Sequence, residues 1–547
     1  MRNPNFVART YPGGKVLTAT EAVRHIRSGV TLATGGFIGS GFAEGLAIAL
    51  EHRYLGQDPQ SPPGMPNNLT LLYAGGQGDG FDRGLNHLAH AGFLKCVIGG
   101  HWGLVPKLQH LALTNQIEAY NLPQGVISQL FRDTSAHRPG LISKVGLGTF
   151  VDPRKGGGRL NKQSQQVLVE LLPIGGIEYL FYKVIPIDVC MLRGTTADEH
   201  GNITMEKEAL TLDSLSIAMA THNSGGIVMV QVERLAKAGS LASREVKIPG
   251  ILVDYVVISE KPEYQFQTYA EPYSAVFAGE IISPPIEIQF RPLDARKIIA
   301  RRASLELRAH DIVNLGVGIP EVIAGIAAEE EISDFMTLTA EPGVVGGIPA
   351  SGLNFGAAVN AVAILDQPYQ FDFYDGGGLD IAFLGMAQVD KKGNLDVSQF
   401  NGHLAGAGGF ISISQNTQRL VFVGTFCAGP LDIEINDGKI KIKNDAKIKK
   451  FINLVDQITF NAPDSISRNQ SVIYVTERCV FQLSADGLEL IEIAPGIDLE
   501  KDILNLMDFK PHISSKLKLM DSKIFKNELM ELKLDMLKHK TIKELTL

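Results

Sequence analysis

At 547 residues the chain exceeds the size at which one hydrophobic core keeps growing, which predicts two or more domains. With 45% apolar and 20% charged residues, 57 glycines and 26 prolines, its composition is that of a turn-rich globular protein and excludes a disordered chain. A net charge of -8 speaks against nucleic acid or an anionic membrane as the main partner, while leaving room for a local basic pocket.

The first residues, MRNPNFVARTYPGGK, carry no apolar signal region, and no run of roughly 18 apolar residues follows, so neither a secretory signal nor a membrane span is expected. Residues 19–28 read as a helix leading into VTLATGGFIGSGFAEGLAIAL (30–50), a strand, a glycine turn and a second helix. The proline-rich stretch 56–68 reads as a surface loop, and NLTLLYAGGQGDG (68–80) as a strand with a glycine-rich exit. Residues 193–234 add a strand, an acid-x-x-Gly-Asn turn, and a helix that feeds a buried strand.

The same order then recurs. Residues 295–309 lead into DIVNLGVGIPEVIAGIA (311–327), DFMTLTAEPGVVGG (334–347) repeats the strand with its glycine exit, and 384–426 repeat the acid-x-x-Gly-Asn segment. Three correspondences in one order predict an α/β fold of two similar, open, mostly parallel-sheet domains, 1–290 and 291–547, with a cleft between them beyond the carboxyl ends of the strands. The tail 508–547, rich in lysine, leucine and methionine, reads as helical packing or an oligomer arm. Four scattered cysteines, Cys96, Cys190, Cys427 and Cys479, form no CxxC pair; they point to buried thiols in a reducing, cytoplasmic setting.

One position separates the halves. Where the first has Ala74 or Gly75, the second has Glu341, set between an apolar strand and PGVVGGIPASG. A carboxylate on such a glycine turn, in dry surroundings, is a stronger nucleophile than in water. From the residues alone it could equally cap the following segment or pair with an arginine.

The stretch EPGVVGGIPASGLNFGAAVNAVAILDQPYQFDFYDGGGLD (341–380) resembles the second-half signature of the family I CoA-transferases, in particular the fused two-domain propionate or acetate type. The resemblance extends through GGF (35–37), EAYNLPQG (118–125), VGLGTFVDPR (145–154), RGTTAD (193–198), NLGVGIP (314–320) and GHLAGAGGF (402–410). It implies that Glu341 is the covalent nucleophile of a ping-pong transfer of CoA between short-chain acids such as acetate, propionate, butyrate or acetoacetate. Thioester energy would be kept through an acyl-glutamyl anhydride and a glutamyl-CoA thioester.

The same resemblance makes Gln124 an oxyanion donor, a role worth about 3 kcal/mol per donor in acyl transfer. It makes Gly408 and Gly409 a loop over the nucleophile, and it assigns Val317 and Gly318 to the acid's carboxylate. Gly35, Gly36, Arg154, Lys155 and Gly402 are the further candidates for contacts to CoA, because no GxxxxGK[ST] loop is present to hold its phosphates. The pattern GFIGSGFAEG departs from GxGxxG, so NAD is not expected, and the histidines show no metal-ligand spacing.

Acyl-CoA and short carboxylates are therefore the expected partners, with CoA as substrate and no permanently bound cofactor or metal. The family implies a homo-oligomer, a tetramer before a dimer, and a place in short-chain fatty acid or ketone-body metabolism. The alternatives are an acyl-CoA hydrolase on the same fold, or a ligand-binding regulator without chemistry.

Overall fold

A computed structural model describes residues 15–284 and 291–537. The expected domain boundary at 290–291 borders residues 285–290, which lie outside the described residues.

The first sheet has eight strands: β1 Val16–Leu17, β2 Thr31–Thr34, β3 Leu69–Tyr73, β4 Leu94–Gly99, β5 Glu118–Asn121, β6 Val189–Arg193, β7 Ile227–Val232 and β8 Tyr255–Ile258, in the order β1-β8-β7-β6-β2-β3-β4-β5. Every pairing in it is parallel. Successive side chains point to opposite faces, so Leu71 and Tyr73 join one apolar cluster while Leu72 and Ala74 join another. Both faces are covered, which is why these strands read as continuous apolar runs. Helix α1, Glu44–Tyr54, packs on the first face; α2, Gln124–Ser135, and α3, Ser214–Asn223, pack on the second.

The second sheet repeats this core. Its strands are β9 Ile312–Leu315, β10 Thr337–Ala340, β11 Val344–Val345, β12 Ala363–Ile364, β13 Ile381–Gly385, β14 Arg419–Val423, β15 Ser471–Val475, β16 Cys479–Ser484, β17 Gly487–Ile493 and β18 His512–Leu519. The order is β12-β11-β10-β9-β13-β14-β15-β16-β17-β18. The parallel run β10-β9-β13-β14-β15 corresponds strand for strand to β3-β2-β6-β7-β8, the register expected from the repeat. Helices α4, Glu321–Glu329, α5, Gln367–Asp375, and α6, Phe410–Asn416, cover its faces.

The halves diverge at both edges, and one of those edges lies at the junction of the halves. Beyond β3 the first sheet continues with parallel β4 and β5, whereas beyond β10 the second turns back through the antiparallel strands β11 and β12. A small apolar cluster joins the halves at this edge, with Phe37, Ile38 and Leu212 on one side and Ala340, Val344 and Phe355 on the other.

The tail meets the helical expectation only at residues 532–537; residues 538–547 lie outside the described residues, and an earlier stretch departs from it. Residues 512–519 form β18, parallel to β17 at the sheet edge, where HISSKLKL pairs through its backbone. Beyond it the chain is stapled to the body: Arg301 donates to the carbonyls of Lys523 and Glu528, and Glu330 accepts the amides of Met530 and Leu532. The four cysteines are buried free thiols, as their scatter suggested.

Candidate active site

Glu341 is the first residue past the carboxyl end of β10, and the equivalent position past β3 is Ala74, so one half presents a carboxylate where the other presents a methyl group. Glu341 is half-buried at the junction of the halves, next in the chain to Ala340 of the apolar cluster, and burial pushes its pKa up to about 7 against the opposing pull of its own backbone N–H. Beneath it, the Tyr374 hydroxyl donates to Thr339 Oγ1 at 2.8 Å and receives Gln370 Nε2 at 2.9 Å. Two oxygens of this polar floor, Asn314 Oδ1 and Gln370 Oε1, are buried without a hydrogen-bond partner.

The first half grips the loop that passes over Glu341. Trp102 N–H donates to the Ala405 carbonyl at 2.7 Å, Ala407 N–H to Asn121 Oδ1 at 2.8 Å, Gly408 N–H to the Gly100 carbonyl at 2.7 Å, and Gln124 N–H to the Gly408 carbonyl at 2.9 Å. The glycines are required by close approach: a Cβ on Gly409 would lie 3.3 Å from Glu341 Cγ, and one on Gly408, at φ +54°, 3.4 Å from the His101 ring and 3.8 Å from Gln124 Oε1. Glu341, Gln124, Gly408 and Gly409 are thereby brought together. The Gly408 amide is committed to Gly100, which leaves the Gly409 amide as the donor of the pair.

Gln124 begins α2 and is 1% exposed; its Nε2 donates to Gln367 Oε1 of the second half at 3.1 Å. Gly35 and Gly36 close β2 next to Phe37, whose ring lies 5.9 Å from that of Phe355 across the junction. Val317 is exposed on the turn after β9, and the Gly318 amide is taken by the Glu321 carboxylate. Arg154 is engaged by Asp152 at 2.7 Å and Glu178 at 3.0 Å, Lys155 is exposed beside it, and Gly402 lies on an exposed hairpin turn with open space around it. The loop that holds Arg154 reaches the second half elsewhere, through Gly146 N–H to Gln415 and Phe150 N–H to the Ile458 carbonyl.

Several residues at the site carry no sequence signal of their own. Asn121 donates to the carbonyls of Gly99 and Gly100 while it accepts from Ala407, and this triple role exists only in the folded chain. His101 packs against Gly408, and burial lowers its pKa to about 4, so it is neutral. Among the described residues no group of three or more His, Cys, Asp or Glu side chains could hold a metal ion, and no helix is long and apolar enough to cross a membrane.

The Glu341 pKa sets a pH dependence. Were Glu341 to act as a nucleophile, its carboxylate would be the reactive form, so kcat/KM should fall as pH drops through about 7, visible as an acid limb in a pH–rate profile; a kcat/KM flat down to about pH 5 would contradict this. Stability should move the opposite way. Between the ordinary carboxyl value of 4.5 and about 7 the native state holds a proton that the unfolded chain releases, so stability falls as pH rises across that window.

The chain matches the family model described as Coenzyme A transferase over residues 16–259. It is 46% identical to the acetate CoA-transferase YdiF of Escherichia coli K12 over 93% of this chain and 95% of that one. It is equally 46% identical to the caffeate CoA-transferase of Acetobacterium woodii, over 93% of this chain and 97% of the relative. The crystal structure of the YdiF apoenzyme from Escherichia coli O157:H7 superposes with a TM-score of 0.87 at 44% identity, covering 95% of this chain and 97% of that one.

Proposed function

We propose that this chain, which belongs to the coenzyme A transferase family and is an enzyme of that class, moves CoA from a short acyl-CoA to a short carboxylic acid through a covalent intermediate on Glu341. The observation that carries the proposal is the asymmetry at the two strand ends: Ala74 in one half, a half-buried Glu341 with a raised pKa under a glycine loop in the other.

In this reading a Glu341 carboxylate oxygen adds to the thioester carbonyl. Collapse of the adduct breaks the C–S bond and gives an acyl-glutamyl anhydride and CoA thiolate. The thiolate adds to the glutamyl carbonyl, expels the donor acid as its carboxylate, and leaves a glutamyl-CoA thioester. An acceptor carboxylate runs the same steps in reverse, so the thioester bond energy is retained and the kinetics are ping-pong. Each tetrahedral adduct carries an oxyanion, for which the Gly409 amide and the Gln124 side chain are the preorganised donors, worth about 3 kcal/mol each. The apolar surround slows attack by water on either intermediate, which separates a transferase from a hydrolase.

A direct test is incubation with propionyl-CoA or acetoacetyl-CoA in the absence of an acceptor acid, then borohydride reduction and peptide mapping. Reduction of the Glu341 side chain to the alcohol is the expected result. An unmodified Glu341 peptide, or label on another residue, would remove Glu341 from the mechanism.

A further inference from the structure

The residue before helix α3 is Asp213, a position where an aspartate ordinarily accepts the amides of the first turn, yet its side chain makes no such cap. Leu212, held in the left-handed region at φ +55°, precedes it, and the carboxylate reaches the junction of the halves. There Oδ1 accepts the Ser128 hydroxyl and Oδ2 accepts Gln367 Nε2 at 2.8 Å, while Gln367 Oε1 accepts Gln124 Nε2 at 3.1 Å. Ser128 lies one turn beyond Gln124 on α2, so one helix face supplies both ends of the chain of bonds. All four side chains are 3% exposed or less.

We propose that Asp213, acting through Gln367, is a positioning residue that fixes which way round the Gln124 side-chain amide stands. The inference rests on the reading of Gln124 as an oxyanion donor. A carboxylate only accepts, so both Ser128 and Gln367 must donate to it. Gln367 then turns its carbonyl to Gln124, and only the NH2 of Gln124 can meet that carbonyl. A reversed Gln124 amide would press two carbonyl oxygens together where no water can separate them, a costly arrangement in a buried network. One N–H of Gln124 is thus engaged, the other is held in a fixed direction, and the carbonyl cannot swing into the donor's place. Among the described residues no cation is in contact with Asp213; burial pushes its pKa up to about 7, with Asp366 adding to the rise and Arg132 opposing it, so the accept-only carboxylate is the form present above that pH, and the kinetics are read at about pH 8.5.

The test is a double-mutant cycle on kcat. Asp213→Asn keeps the shape but both donates and accepts, so either polarity becomes allowed; it should lower kcat about 10-fold with KM for the acyl-CoA within about two-fold of wild type. Gln124→Ala should lower kcat roughly 100-fold, and adding Asp213→Asn to it should cost nothing more. An unchanged kcat in Asp213→Asn, or an undiminished loss when it is added to Gln124→Ala, overturns the positioning role. Full activity in Gln124→Ala would instead defeat the reading of Gln124 itself, whatever Asp213 does. Should Asp213→Asn fail to fold, Gln367→Met removes the middle of the relay and enters the same cycle with the same expectations.

Discussion

Glu341→Gln is expected to lower the transfer rate on the order of 10⁴-fold or more, the scale on which enzymes lose activity when a covalent nucleophile is removed. Glutamine keeps the volume and the position after β10, but its amide oxygen is too weak a base to open a thioester. The fold should not suffer. The wild-type carboxyl is driven up to about 7 by burial, so a neutral amide removes a cost that the native state bears above that pH. Above pH 7 the variant should therefore unfold at a temperature equal to or higher than wild type while turning over no substrate. A variant that keeps even a tenth of wild-type kcat would place the chemistry on another group.

The second large effect concerns stability. Arg193, at the end of β6, is 2% exposed and pairs with Glu208 through Nε at 3.0 Å and Nη2 at 2.5 Å. Its Nη1 donates to the carbonyls of Phe42 at 3.1 Å and Phe266 at 2.9 Å, and a weaker contact reaches Gly39 at 3.3 Å. One guanidinium therefore ties the turn after β2, which carries Phe37 to the junction of the halves, to the segment near Phe266. Arg193→Ala would strand a buried carboxylate and these carbonyls together, and should cost about 3–5 kcal/mol, read from the midpoint of urea unfolding. Arg193→Lys should recover only part of this, since an ammonium cannot reproduce the planar fork. A loss under about 1 kcal/mol in the alanine variant would show that water replaces the guanidinium.

Much of this architecture was legible in the sequence because the sequence repeats. Three matched segments revealed two similar, mostly parallel-sheet halves, and the comparison exposed Glu341 as the acid that only one half carries. Gln124, Gly408 and Gly409 came from resemblance, and the structure brings them beside Glu341. Asn121, Gln367 and Asp213 stayed hidden because their roles exist only where residues distant in the chain meet: an asparagine, a glutamine or an aspartate in a turn looks the same whether it caps a helix or bridges two domains. Arg154 looked free for a phosphate because its charge is visible in sequence, while the partners that engage it, Asp152 and Glu178, are identified only by folding. In the tail, lysine and leucine satisfied a helical spacing, but the unpaired edge of β17 drew residues 512–519 into a strand.

The grip of the first half on the loop over Glu341 bears on how the protein is made. Asn121 and Ala407, which share a hydrogen bond, are 286 residues apart. At about 5–20 residues per second a ribosome needs roughly 7–30 s to pass from Ile258, where the first sheet ends, to Ala407, so that sheet can emerge and fold before the loop that it holds exists. During that interval the carbonyl of Gly100, the side-chain oxygen of Asn121 and the rings of Phe37 and Trp102 lack their later partners at an unfinished edge. The nascent chain is then most in need of protection at the surface that later receives the loop over Glu341, and a pause in synthesis between the halves would prolong that exposure.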